Sequence, residues 1–115
     1  MAPEVAMKLP YDSHCDVFSF ALLFHEIMSL KSTPYHGYMP REYFQRVVKG
    51  NERPNIHRGW PKQTKEVMKK CWDQDPEKRF DMRRIAQMIR SDLNEISQED
   101  EIANRTRHMK VCLCA

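Results

Sequence analysis

Glycine is scarce in this chain, three residues in 115. Runs of Val, Ile or Thr are also few. Both shortages argue against a β-rich fold, whose hairpins call on glycine and whose strands call on β-branched residues. No apolar run is long enough to span a bilayer. No secretory leader opens the chain, because Pro3, Glu4 and Lys8 interrupt its start. Neither sign of charge dominates. Nineteen basic residues against sixteen acidic leave +3, too little to point to nucleic acid. The four cysteines, Cys15, Cys71, Cys112 and Cys114, show no zinc-site or C-x-x-C spacing. They read as reduced thiols of a cytoplasmic protein. The Asn104-Arg105-Thr106 sequon carries no meaning without secretion.

What is present describes one small folded domain, with 41% hydrophobic and 30% charged residues. A short turn of helix over 3–8 ends at Pro10, since a residue before proline is pushed out of the helical region. Ser13 is placed to cap the next helix, with Asp16 three residues on in capping-box position. From Val17 to Met28 the residues are apolar almost all round, which predicts a central, buried helix. A loop with Pro34 and Gly37 follows. Pro40 then suits the first turn of a helix that Gly50 stops. Tyr43, Phe44, Val47 and Val48 recur in it at helical spacing. Pro61 opens a further helix with Val67, Met68, Cys71 and Trp72 on one face. The last begins after Asp81, and Phe80 and Ile85 are spaced as a hydrophobic staple. Its apolar pattern, Ile85, Ile89, Leu93 and Ile96, fades beyond Ser97. Residues 1–96 therefore read as the folded part, and 97–115 as a mobile tail with at most a helical start.

Five segments in order resemble the protein kinase catalytic domain from its Ala-Pro-Glu motif onward. They are Ala2-Pro3-Glu4; Asp16-Val17-Phe18-Ser19-Phe20; Pro34-Tyr35 with Gly37; Gly50 followed by Arg53-Pro54; and Cys71-Trp72 followed by Asp75-Pro76 and Arg79. The habit is most similar to the tyrosine kinase and tyrosine-kinase-like groups. The resemblance covers roughly Ala2 to Leu93. It implies an all-α fold, the helical lower half of a kinase C-lobe: a short activation-segment helix plus four main helices.

The resemblance also implies roles. Glu4 resembles the motif glutamate that pairs with a distant arginine, and Arg79 stands where that arginine belongs. A planar guanidinium holds a carboxylate with two parallel bonds and so locks two loops together. The bland alternative is two solvated surface charges. Asp16 resembles the aspartate that holds the catalytic loop by its backbone; its alternative role is an acid at a helix N-terminus, favoured by the macrodipole. Leu23 and Ile27 match positions supporting the apolar column beneath the adenine. Asp16, Leu23 and Ile27 fall within about 20° of one line on a helix. In the absence of the parts they support, Leu23 and Ile27 should form an exposed apolar patch with Asp16 at its head. Trp72 belongs to the Cys-Trp pair. Ala21, His25 and Phe80 depart from the family's usual glycine, tryptophan and proline.

No Gly-rich loop, strand lysine, H-R-D with its asparagine, or D-F-G occurs in these residues. Phosphoryl transfer needs those groups to hold ATP, metal and the substrate hydroxyl. The expectation is a kinase fragment with no catalytic, cofactor or metal residues of its own. ATP and Mg would belong to the complete parent domain, which phosphorylates protein Ser/Thr or Tyr. Expected partners are the missing N-terminal part of the domain, and protein substrates or regulators reached through the helices after Pro40. A truncated, non-catalytic interaction module is the alternative. Cys112-Leu113-Cys114-Ala115 fits a prenylation motif loosely, behind Arg105, Arg107, His108 and Lys110; a chance C-terminus is the default reading.

Overall fold

The structure is a computed structural model that describes residues 1–30 and 34–113, with side chains up to 109. Among the described residues it is helical and has no strand, as an all-α kinase C-lobe segment requires. The elements are α1 (Pro3–Ala6), α2 (His14–Ser29), α3 (Pro40–Tyr43) running into a π-helix (Phe44–Lys49), α4 (Lys62–Cys71), a 3₁₀ turn (Pro76–Lys78) and α5 (Met82–Leu113). None of these helices is long and apolar enough to cross a membrane.

The core lies where α2, α4 and α5 meet. Val17, Phe18 and Ala21 of α2 pack with Val67, Met68 and Cys71 of α4, with Trp72 just beyond it and Ile85 of α5. On α4 the solvent face carries Lys62, Glu66, Lys69 and Lys70, which is the expected amphipathic split. Burial pushes the Cys71 thiol up to about 12, so it stays protonated and inert. The expectation that α2 is buried all round holds on one side only. Asp16, Ser19, Leu23, Ile27 and Leu30 are exposed.

Several ends are held differently from the sequence expectation. Ser13 makes no side-chain cap to α2. Asp12 does that work, accepting the His14 N–H at 2.9 Å through the same carboxylate oxygen that meets the His14 ring. Asp16 does not close a capping box. Its carboxylate instead accepts a weak bond from the Cys15 thiol at 3.8 Å. Asp81 does cap α5, accepting the Arg84 N–H at 2.8 Å. Gly50 stops the π-helix for a steric reason: a Cβ there would sit 2.6 Å from the Arg46 carbonyl oxygen.

The start of α4 is capped from another helix. Asp92 of α5 is buried, and its carboxylate accepts the Thr64 N–H at 2.6 Å, the Thr64 hydroxyl at 2.7 Å and the Gln63 N–H at 3.3 Å. The two N–H groups are donors that a helix N-terminus leaves unpaired. Replacing Asp92 by Ala strands them in the interior and should destabilise the fold by about 1–3 kcal/mol. Urea unfolding measures this, and an unchanged midpoint would show that water takes over the cap.

Beyond Asp92 the helix leaves the body. The segment expected as a tail is helical to Leu113, well past a helical start, and residues 93–109 are all exposed. The Cys112–Ala115 motif lies outside the residues whose side chains are described.

Candidate functional site: a buried ion pair and an open helix face

Glu4 and Arg79 meet, 75 residues apart in sequence. Arg79 Nη1 donates to Glu4 Oε1 at 2.7 Å and Nη2 to Oε2 at 2.9 Å. Both residues are 5% exposed. This is the two-bond fork that a guanidinium and a carboxylate form when both are held rigidly. Local folding delivers each partner. Pro3 starts α1 at a position where its missing N–H costs nothing, so Glu4 sits in the first turn. Pro76 opens the 3₁₀ turn whose end presents Arg79 in extended backbone.

The rest of the guanidinium is also engaged. Nε donates to the Asp73 carbonyl and Nη1 to the His14 carbonyl, both at 2.9 Å. One side chain thus joins α1, the start of α2 and the turn before α5. Burial by itself would raise the Glu4 carboxyl, but the hydrogen bonds and charge of Arg79 outweigh it and hold it below its ordinary value.

Phe18, fully buried, lies between two arginines. The Arg79 guanidinium carbon is 5.1 Å from the ring centroid and that of Arg53 is 5.0 Å. Both are within cation–π range. Arg53 donates to the carbonyls of Trp72 (2.8 Å), Val47 (3.1 Å) and Glu52 (2.8 Å), and to the Gln74 side chain (2.9 Å). It joins the end of the π-helix to the end of α4, satisfying carbonyls that helix ends leave open. Sequence reasoning noted Arg53-Pro54 only as a family habit. An arginine followed by proline in a loop gives no sign of which carbonyls it will reach.

The other expected residues separate into two places. Trp72 is buried in the core at 5% exposure, with its ring centroid 6.0 Å from that of His25. Asp16, Leu23 and Ile27 stay together on the open line of α2, where Leu23 is 53% and Ile27 60% exposed. The arrangement is a rigid base with one helix face uncovered. No cluster of three or more metal-ligating side chains occurs among the described residues.

Comparison with known proteins agrees with this geometry. The family model for protein tyrosine and serine/threonine kinases matches residues 1–89. The serine/threonine-protein kinase STY17 of Arabidopsis thaliana is 33% identical over 100 residues, 87% of this chain and 17% of that protein. The mast/stem cell growth factor receptor Kit of Gallus gallus is 34% identical over 95 residues, 83% of this chain and 10% of that protein. The chain therefore spans less than a fifth of the length of these relatives. With the family pattern running through α1, the clamp and all the packed helices, the chain belongs to the protein tyrosine and serine/threonine kinase family.

Proposed function

We propose that these residues form the structural base of an ATP-dependent protein kinase domain and do not transfer phosphate by themselves. The observation that carries this reading is the open line of α2. Val17, Phe18 and Ala21 are buried by this chain, while Asp16, Leu23 and Ile27 are left uncovered on one line. An aspartate heading two exposed aliphatic side chains suits a surface that receives and supports another part of a domain. The Glu4–Arg79 clamp holds the base rigid beneath it.

ATP and Mg would be held by the remainder of a complete domain. The residues here do not fit them. Among the described residues, the cleft of about 700 Å³ between α2 and residues 55–60 has no carboxylate in its wall to take a metal. No phosphate-cradling loop occurs in the sequence. The expected result is that calorimetric titration of the 115-residue chain with MgATP shows no saturable binding, and labelled phosphate reaches no protein substrate. Micromolar binding with transfer would overturn the reading.

The second reading, a protein-interaction module, draws support from a cavity of about 460 Å³ bordered by Tyr35, Tyr38, Tyr43 and Phe44. All three tyrosine hydroxyls are bonded within the chain, to the Glu52 carbonyl, the Glu52 carboxylate and the Met1 carbonyl. The rings are thus left as apolar surface at the helix after Pro40, where substrates or regulators would dock. A cytoplasmic location goes with either reading.

A further inference from the structure

The cleft between the second half of α2 and residues 55–60 has a volume of about 700 Å³, within the range of small-molecule sites. Residues 25, 28 and 29 of α2, which line it, point roughly opposite to 23 and 27. The cleft is therefore independent of the open face of α2 that carries Leu23 and Ile27. Met28, Ile56 and Trp60 supply apolar surface, and the wall has no carboxylate among the described residues.

The loop is tied down before any ligand arrives. His25 Nε2 lies 2.7 Å from the Asn55 carbonyl oxygen. A carbonyl only accepts, so in the neutral ring the proton is on Nε2. His25 Nδ1 is buried without a partner, so the ring anchors the loop and offers nothing to a ligand. The Gly59 N–H donates to His57 Nδ1 at 3.0 Å, which puts the His57 proton on Nε2. The Trp60 N–H donates to the His57 carbonyl at 3.2 Å, and the Lys65 ammonium to the Arg58 carbonyl at 3.2 Å. Such pre-ordering spares a ligand the entropy of fixing the loop.

Among the described residues of the wall, Arg58 supplies the only full charge. Its guanidinium has no partner among the described residues. His57, with its proton on Nε2, and Trp60 also line the cleft, and each carries a ring N–H. Positive charge, donors, no acid and an indole surface together describe one ligand chemistry. We propose that this cleft binds a small carboxylate carried on an aromatic body, with the carboxylate on Arg58 and His57 and the body against Trp60, Met28 and Ile56. A guanidinium suits a carboxylate through its planar fork.

The test titrates the full 115-residue chain with 2-naphthoate, following tryptophan fluorescence and backbone amide NMR shifts. Binding should saturate, with shifts centred on residues 55–60. The uncharged analogue 2-naphthamide should bind about tenfold more weakly, as should the Arg58→Ala variant, while Arg58→Lys keeps part of the affinity. Arg58 is exposed, so its variants should melt with the parent chain. Absence of saturation would overturn the proposal. So would equal affinity for acid and amide, or shifts centred on Leu23 and Ile27 instead.

Discussion

Replacing Arg79 by Ala is expected to destabilise the folded chain by about 3–5 kcal/mol, the cost of leaving a buried carboxylate without its partner. Glu4 has little access to water, so the uncompensated charge cannot simply be solvated. The same substitution frees the Asp73 and His14 carbonyls that Arg79 now bonds. A domain of this size has only about 5–15 kcal/mol in total, so the variant should lose a large share of its margin against unfolding. Urea unfolding followed by circular dichroism measures the loss. A change below about 1 kcal/mol would place the pair among ordinary surface ion pairs.

The pair also sets a pH response. The Glu4 carboxyl is held below its ordinary 4.5 in the folded chain. A carboxyl with a depressed folded value binds its proton more readily when unfolded. Its contribution is therefore present above 4.5 and is lost as the pH falls through the folded value. Glu4→Gln should be less stable than the parent at neutral pH, and the gap should narrow as the pH falls below 4.5 and through the folded value. A gap that stays constant would remove the ion pair as its cause.

The second large effect concerns the open side of α2. The purified chain should bind a hydrophobic dye and self-associate, because Leu23, Ile27 and Leu30 present aliphatic surface to water at 53%, 60% and 92% exposure. Leu23→Glu combined with Ile27→Lys should cut dye fluorescence several-fold and return the chain to a monomer in sedimentation. Stability should shift by only about 0.5 kcal/mol, since exposed sites away from buried features rarely cost more. The order Glu then Lys, four apart, is also the favourable one on a helix. Dye binding that survives both charges would show that this face is not the exposed apolar surface that matters.

Local signals in the sequence determined the helices and their order. Pro3 and Pro40 mark starts because a missing N–H is harmless in a first turn, and Pro61 stands at the N-cap of α4. Gly50 marks a stop, and the 3.6-residue spacing of Val67, Met68 and Cys71 marks the buried face of α4. The family pattern added that Glu4 and Arg79 belong to one another. Only tertiary structure decided what holds these pieces. Asp92 caps α4 from a different helix, and nothing in its neighbourhood in the sequence distinguishes it from a solvated acid. Arg53 and Arg79 both reach the Phe18 ring because three chain segments converge, which no local window contains. The extent of α5 was also undecided by pattern. Helix propensity continues through the polar stretch after Ser97, whereas apolar periodicity reports only where a helix is covered. For the same reason α2 reads in sequence as buried on every side. Apolarity records which surfaces are meant to be covered, and only the fold shows that Leu23 and Ile27 are not covered by this chain.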